Sequence, residues 1–303
     1  MNIQGLLEMQ GMLMLLLALG ALLTKVNIID KSGKKLLTDL VIYVTLPASI
    51  LKSFMMEFNM DIMKSCLTIF IIAILIQIGS MLLGNAIFPG YEEKRKKVLQ
   101  YATICSNAGI LGNPIAESAF GSIGLLYASF YLIPQRTFMW SAGLTYFTKA
   151  PSKKQLLKRV ITHPCIVAVF VGIVMMVTSI ALPGVLTETI YTVANANTAM
   201  SMILIGNILA GISFKSIVTK DTLYYSFIRL VVIPAIVYAG CTLFHIDELV
   251  TGVAVLLSAM PAASVTAVMA TKYGKDEIFA TKLVVLSTLL SILTAPMWCL
   301  LFT

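Results

Sequence analysis

Two short stretches of this chain place polar and helix-breaking residues inside apolar surroundings. The first holds Ser106, Asn107, Gly109, Gly112, Asn113 and Pro114; the second holds Pro261, Ala262, Ser264 and Thr266. Proline removes a backbone donor and disfavours helix at the residue before it, and glycine weakens a helix by about 1 kcal/mol relative to alanine. Where each stretch interrupts a helix at mid-membrane, a half-helix results whose N-terminus faces the centre. Such an end carries unpaired N–H groups and partial positive charge, suited to a carboxylate or another anion. Asn107, Asn113, Ser264 and Thr266 add neutral hydrogen-bonding groups around it. The glycines fit close helix packing as well, and a lone proline fits a kink. Two interruptions at corresponding depths favour the binding reading over both.

Three basic residues lie inside apolar stretches: Arg136, Arg229 and Lys282. A charge there is costly unless paired or hydrated, and so marks a candidate site. Arg136, beside Pro134 and Gln135, is read either as binding or steering an anion or as snorkelling or pairing with an acid. Arg229 and Lys282 are expected to snorkel toward the basic side. Glu117 follows the first interruption and is expected to cap or face the outer surface, with a proton or cation role as the alternative.

Other chemistry is poorly provided for. The five cysteines are scattered singly with no CxxC pair, and His163 and His245 lie far apart, so neither a disulfide framework nor a metal site is indicated. No GxSxG or HExxH occurs, and no two acidic residues fall mid-membrane on separate stretches, which argues against an intramembrane protease or transferase. No cofactor is expected beyond a coupling Na+ or H+, between which the residues do not choose.

The elements that must position these residues are membrane spans. Apolar residues make up 58% of the 303 and charged residues 12%, against roughly a quarter charged in a soluble domain. Mean hydropathy is +0.92. A chain of this size has no soluble core able to bury so much apolar surface. Ten apolar runs of spanning length are read at about 6–24, 36–56, 64–88, 98–119, 122–147, 164–182, 186–212, 221–244, 248–271 and 277–302. Five alternate loops (25–35, 89–97, 148–163, 213–220 and 272–276) hold 17 of the 22 basic residues, whereas the opposite loops and both termini carry only Lys52 and Lys64. By the positive-inside rule this predicts a multi-pass protein of the plasma (cytoplasmic) membrane with both termini outside. The first run has no basic residue before it and is expected to be retained rather than cleaved. The net charge of +8 is thus explained by loops against a lipid bilayer, and nucleic acid is not expected.

The chain also repeats itself weakly. Leu37-Thr38-Asp39-Leu40-Val41 resembles Leu186-Thr187-Glu188-Thr189-Ile190, 149 residues later. Phe120-Gly121 with Ala128-Ser129 resembles Tyr273-Gly274 with Ala280-Thr281, at offsets of 153 and 152. The near-constant offset predicts two five-helix halves, 1–148 and 149–303. An odd number of spans per half inverts the second, as in many secondary transporters.

The run Ser106 to Pro114, the segment Ala259-Met260-Pro261 continuing through Ala270 to Asp276, and the downstream Ser287-Thr288 and Ser291 to Pro296 together resemble the auxin efflux carrier family, over essentially the whole chain. The family includes plant PIN-type carriers and bacterial proteins often called malate permeases. The resemblance implies an all-α integral membrane fold of ten helices in two inverted repeats, like that of bile-acid sodium symporters. Helices four and nine are broken and cross near Ser106-Asn107 and Met260-Pro261. It further implies a small organic anion as substrate, an elevator-like motion, a scaffold of helices 1, 2, 6 and 7 that mediates homodimers, and a transport domain of helices 3–5 and 8–10. Two departures bear on the substrate: no proline precedes Gly206 in the seventh span, and Ser264-Val265-Thr266 stands where many bacterial relatives carry asparagine. The long loop of some plant members is absent at 148–163. A channel or membrane sensor, or a sodium-coupled symporter of another metabolite, is the alternative reading.

Overall fold

Lipid offers no partner for a backbone polar group, so apolar runs of this length satisfy their own N–H and C=O groups as helices. The computed structural model describes residues 3–55, 59–147, 161–178, 182–210 and 217–302, with residues 154 and 158. The expected boundary between the halves at 148–149, and Lys149, Lys153, Arg159 and Lys215, lie outside the described residues. Helix α1 spans Ile3–Lys25 and α2 spans residues 31–54. Helices α3 (Met60–Ala86) and α4 (Glu93–Ile104) follow, then α5 over residues 108–120 and α6 over residues 122–140. The second part of the chain forms α7 (Pro164–Thr178), α8 (Gly184–Ala210) and α9 (residues 220–243). It ends in α10 (Glu248–Ser258), α11 (Val265–Lys272) and α12 (Glu277–Cys299). Six helical stretches among the described residues are long and apolar enough to cross a membrane by themselves, and three shorter apolar helices accompany them.

Three of these helices widen into a π turn at the same distance before a proline. The turns are Val41–Thr45 ahead of Pro47, Ala108–Gly112 ahead of Pro114, and Ile228–Val232 ahead of Pro234. Proline cannot donate to the carbonyl four residues back and its ring crowds that oxygen, so the preceding turn opens. In α9 the orphaned carbonyl of Leu230 is taken by the indole N–H of Trp298 at 2.8 Å. Each proline stands just past its widened turn, where the regular helix resumes.

Packing sorts the helices into two groups. Helix α1 lies along α8, and α2 packs on α7 and α8; α3 packs on the 113–140 stretch, and α9, α10, α11 and α12 pack among themselves. The α1–α8 contact is backbone to backbone. A Cβ on Gly206 would overlap the carbonyl of Leu17, and one on Gly20 would overlap that of Ile203. Gly206→Ala is therefore expected to force the two helices apart and lower the melting temperature of the purified protein by several degrees; a melt within a degree of the parent would show that this approach is not needed.

Gly121 and Gly274 are the two glycines with positive φ among the described residues, at +68° and +62°. Gly121 (ψ −162°) turns α5 into α6, in a backbone region that only glycine occupies without strain. Gly274 also has positive φ where the chain turns between α11 and α12, 153 residues later. At the basic-loop end Arg95 donates to Asp276 at 2.8 Å and lies 3.8 Å from Asp221, tying the starts of α4, α9 and α12. Burial opposes the charge on Asp276, but the Phe279 N–H and Arg95 outweigh it and hold its carboxyl below the usual range.

Candidate functional site

The two interruptions expected from sequence meet in space. Helix α4 stops at Ile104 and α5 starts at Ala108; α10 stops at Ser258 and α11 starts at Val265. Between them the chains run antiparallel and pair as a short bridge, Ser106 opposite Ala262. Asn107 N–H donates to Pro261 O at 2.8 Å, and Ala263 N–H donates to Cys105 O at 2.9 Å. Each broken helix thus supplies the partners that the other has lost, which is what a buried backbone requires. The remaining groups are met by side chains. Gln135 Nε2 donates to the Ser106 carbonyl at 3.0 Å and to its Oγ at 2.6 Å. The Ala262 N–H donates to Ser287 Oγ at 3.2 Å, and the Tyr225 hydroxyl donates to Ala102 O at 2.8 Å.

Arg229 completes the crossing. Its Nε donates to Met260 O at 2.9 Å and its Nη1 to Thr103 O at 3.1 Å. The expectation that Arg229 snorkels to the basic side is corrected here: the residue is 2% exposed. The reason is electrostatic. The carbonyl ends of α4 and α10 converge at the crossing, and a helix C-terminus carries about half a negative charge. A guanidinium with several fixed donors can serve both ends at once.

The break in the fourth span lies at residues 105–107, about Ser106-Asn107, and Pro114 stands further along, just past the widened turn Ala108–Gly112. One other expectation is corrected. Glu117 does not cap or face the surface. Its Oε1 lies 3.3 Å from Lys52 Nζ and its Oε2 accepts from Ser49 Oγ at 3.0 Å.

The opposite poles of the broken helices behave differently. Arg136 of α6 reaches the first turn of α5, where a Cβ on Gly109 would stand 2.9 Å from its Nη2. Gly109 is what allows this approach. Arg136 Nη1 lies 2.6 Å from His163 Nε2, and among the described residues no carboxylate pairs with Arg136. Burial first, and the Arg136 charge second, push the His163 imidazole down to about 3, so it stays neutral near pH 7 and leaves the guanidinium charge unopposed. The buried Nε of Arg136 has no partner among the described residues. A fixed cation and a helix N-terminus thus face the same place, an arrangement that attracts an anion.

The other sequence-derived residues are distributed around this frame. Asn113, one turn along α5, is fully buried, and neither atom of its amide has a partner. Thr266 is buried in the first turn of α11 with its hydroxyl unpartnered. Ser264 is half-buried and caps that turn through its carbonyl, which accepts from Ala267 N–H at 3.2 Å. Gly112 packs against Leu257 near the end of α10 and Met260 of the second interruption. So Ser106, Asn107, Pro261 and Ala262 form the bridge, Gly109 and Arg136 meet beside it, and Asn113 and Thr266 point unpaired amide and hydroxyl groups into the interior. Sequence reading missed Gln135, Ser287 and Arg229 as partners of the crossing. Gln135 carried a signal, being a polar residue next to Arg136 in an apolar run.

A family model described as membrane transport protein matches residues 10–157 and again residues 148–299. The chain is 25% identical over 299 residues to an uncharacterized transporter of Methanocaldococcus jannaschii, with 95% of this chain and 96% of that protein covered. It is 24% identical over 291 residues to an uncharacterized transporter of Methanothermobacter thermautotrophicus, with 94% of each covered.

Proposed function

We propose that this chain, which belongs to the auxin efflux carrier family of membrane transport proteins, carries a small organic anion across the membrane. It is a transporter rather than an enzyme, and its multi-pass helices are those of a membrane protein. The observation that carries the anion reading is Arg136: a guanidinium against the first turn of α5, beside a neutral imidazole and, among the described residues, without a carboxylate partner. A substrate carboxylate would supply the missing charge, with the free amide of Asn113 one turn away and the Thr266 hydroxyl at the start of α11 as further donors. Asn107 and Pro261 would hold the crossing in shape around it.

In this reading the chain crosses the bilayer ten times, with α4–α5 and α10–α11 each making one broken crossing. The halves 1–148 and 149–303 are inverted repeats. The two positive-φ glycines 153 residues apart support that reading. Helices α1, α2, α7 and α8 form a scaffold through which two copies pair, and the remaining helices move past it as an elevator; the two packing groups favour this division. The basic loops lie inside, both termini outside, at the plasma membrane. Sodium has no role at the carbonyl pole of the crossing, because Arg229 already serves as its cation.

A thermal-shift series on the purified protein tests the substrate class, since a ligand stabilises a fold by its affinity for it, by about 2.7 kcal/mol at a hundredfold excess over Kd. L-malate or indole-3-acetate is expected to raise the melting temperature with or without sodium. Stabilisation by neutral amino acids or cations alone would overturn the organic-anion reading.

A further inference from the structure

We propose that the Lys52–Glu117 pair couples transport to a proton: ionised Glu117 holds Lys52, and protonated Glu117 releases that ammonium to a second carboxylate of the substrate, the first being held by Arg136. The inference rests on the anion-carrier reading and adds the coupling ion and the side chain that carries it.

The pair joins the two packing groups. Lys52 comes from α2, in contact with α7 and α8, and Glu117 comes from α5, part of the 113–140 stretch. Lys52 also donates to Asn195 Oδ1 of α8 at 3.0 Å and lies 5.8 Å from the Tyr191 ring centre. Both Glu117 oxygens are engaged, one by Lys52 and one by Ser49, and each side chain of the pair is 18% exposed. An ion pair across a sliding boundary is a latch. It must open before one group moves past the other.

The charge balance makes the opening specific. With Glu117 ionised and Lys52 charged, the pair is neutral. With one proton on Glu117 and one carboxylate on Lys52, it is neutral again. A proton alone leaves one positive charge, and a carboxylate alone leaves one negative charge. Either lone charge is costly in a site this enclosed. Proton and carboxylate therefore enter and leave together, one for one. The receiving group is already in place: Asn113 lies four residues before Glu117 on the same face of α5, buried, with both amide atoms unpaired.

Few other charges bear on Glu117. Lys52 is the one in direct contact, with Tyr191 of α8 behind it. On the other elements packed against α5 and α6, Asp61 and Lys64 of α3 pair with each other in the open. Glu8 of α1, Glu188 of α8, Glu248 of α10, Arg136 of α6 and the basic-loop residues of α4 complete the set. Among the described residues none of these forms a salt bridge with Glu117.

The test uses the full chain in proteoliposomes with radiolabelled L-malate, the membrane potential clamped at zero, and pyranine trapped inside. One proton is expected to enter with each malate, and each unit of inward pH difference to raise malate accumulation about tenfold, the ratio equivalent to about 1.4 kcal/mol. Glu117→Gln, neutral at every pH, is expected to bring that accumulation ratio to about one whatever the pH difference. Malate entry without proton entry in the parent protein, or undiminished pH-driven accumulation in Glu117→Gln, would overturn proton coupling and leave the carrier reading standing. Absence of any exchange of L-malate and of indole-3-acetate by the parent protein would overturn both. The pyranine ratio of the parent decides the matter even where the variant does not fold.

Discussion

Arg229→Met is expected to yield little folded protein, and what folds should melt far below the parent. The substitution keeps the bulk of the side chain and removes its donors. Met260 O and Thr103 O then face the interior unpaired, at about 1–3 kcal/mol each. Two helix C-termini also lose the cation between them, an effect of up to ~2 kcal/mol in partly buried geometries. Together these reach several kcal/mol, a large part of the roughly 5–15 kcal/mol that holds a typical domain folded. Arg229→Lys should fall between the two, because one ammonium cannot reproduce the spread of Nε and Nη1. Size-exclusion profiles and melting curves in detergent read the result. A monodisperse Arg229→Met protein that melts with the parent would mean that the crossing holds without its cation.

Arg136→Gln should do the reverse, leaving the fold and removing the substrate. No carboxylate is left stranded when this charge goes; His163 loses one partner and remains neutral. A hydrogen bond to a charged group is worth about 1.5–3 kcal/mol, so carboxylate affinity is expected to fall by roughly 10–100-fold with the melting temperature nearly unchanged. Gly109→Val should mimic it in part, since a Cβ there stands 2.9 Å from the guanidinium and displaces it from the first turn of α5. Calorimetric titration with L-malate measures the loss. Equal affinity in the parent and Arg136→Gln would remove Arg136 from the site.

Much of the frame was legible in the residues themselves. The mid-run asparagine, glycines and prolines located both interruptions, and the structure joins them through Asn107 and Pro261. Arg229 was illegible. Its position, eight residues into an apolar run, describes its distance from water along the helix axis, whereas its role depends on carbonyls orphaned in two other helices. Lys52 was read as a loop charge and Glu117 as a surface acid for the same cause: each is explained only by the other, 65 residues away. Lys282 has no pairing among the described salt bridges, but its charge helps to hold the Asp276 carboxyl low at the basic-loop end, in keeping with its expected reach toward that side.

The most direct test of an anion carrier built on this crossing is counterflow of radiolabelled L-malate into proteoliposomes preloaded with unlabelled malate, comparing the parent with Arg136→Gln. Saturable counterflow in the parent, inhibited by other small carboxylates but not by their amides and reduced at least tenfold in Arg136→Gln, is the expected result. Counterflow that amides inhibit as well as acids do, and that Arg136→Gln leaves intact, would contradict it.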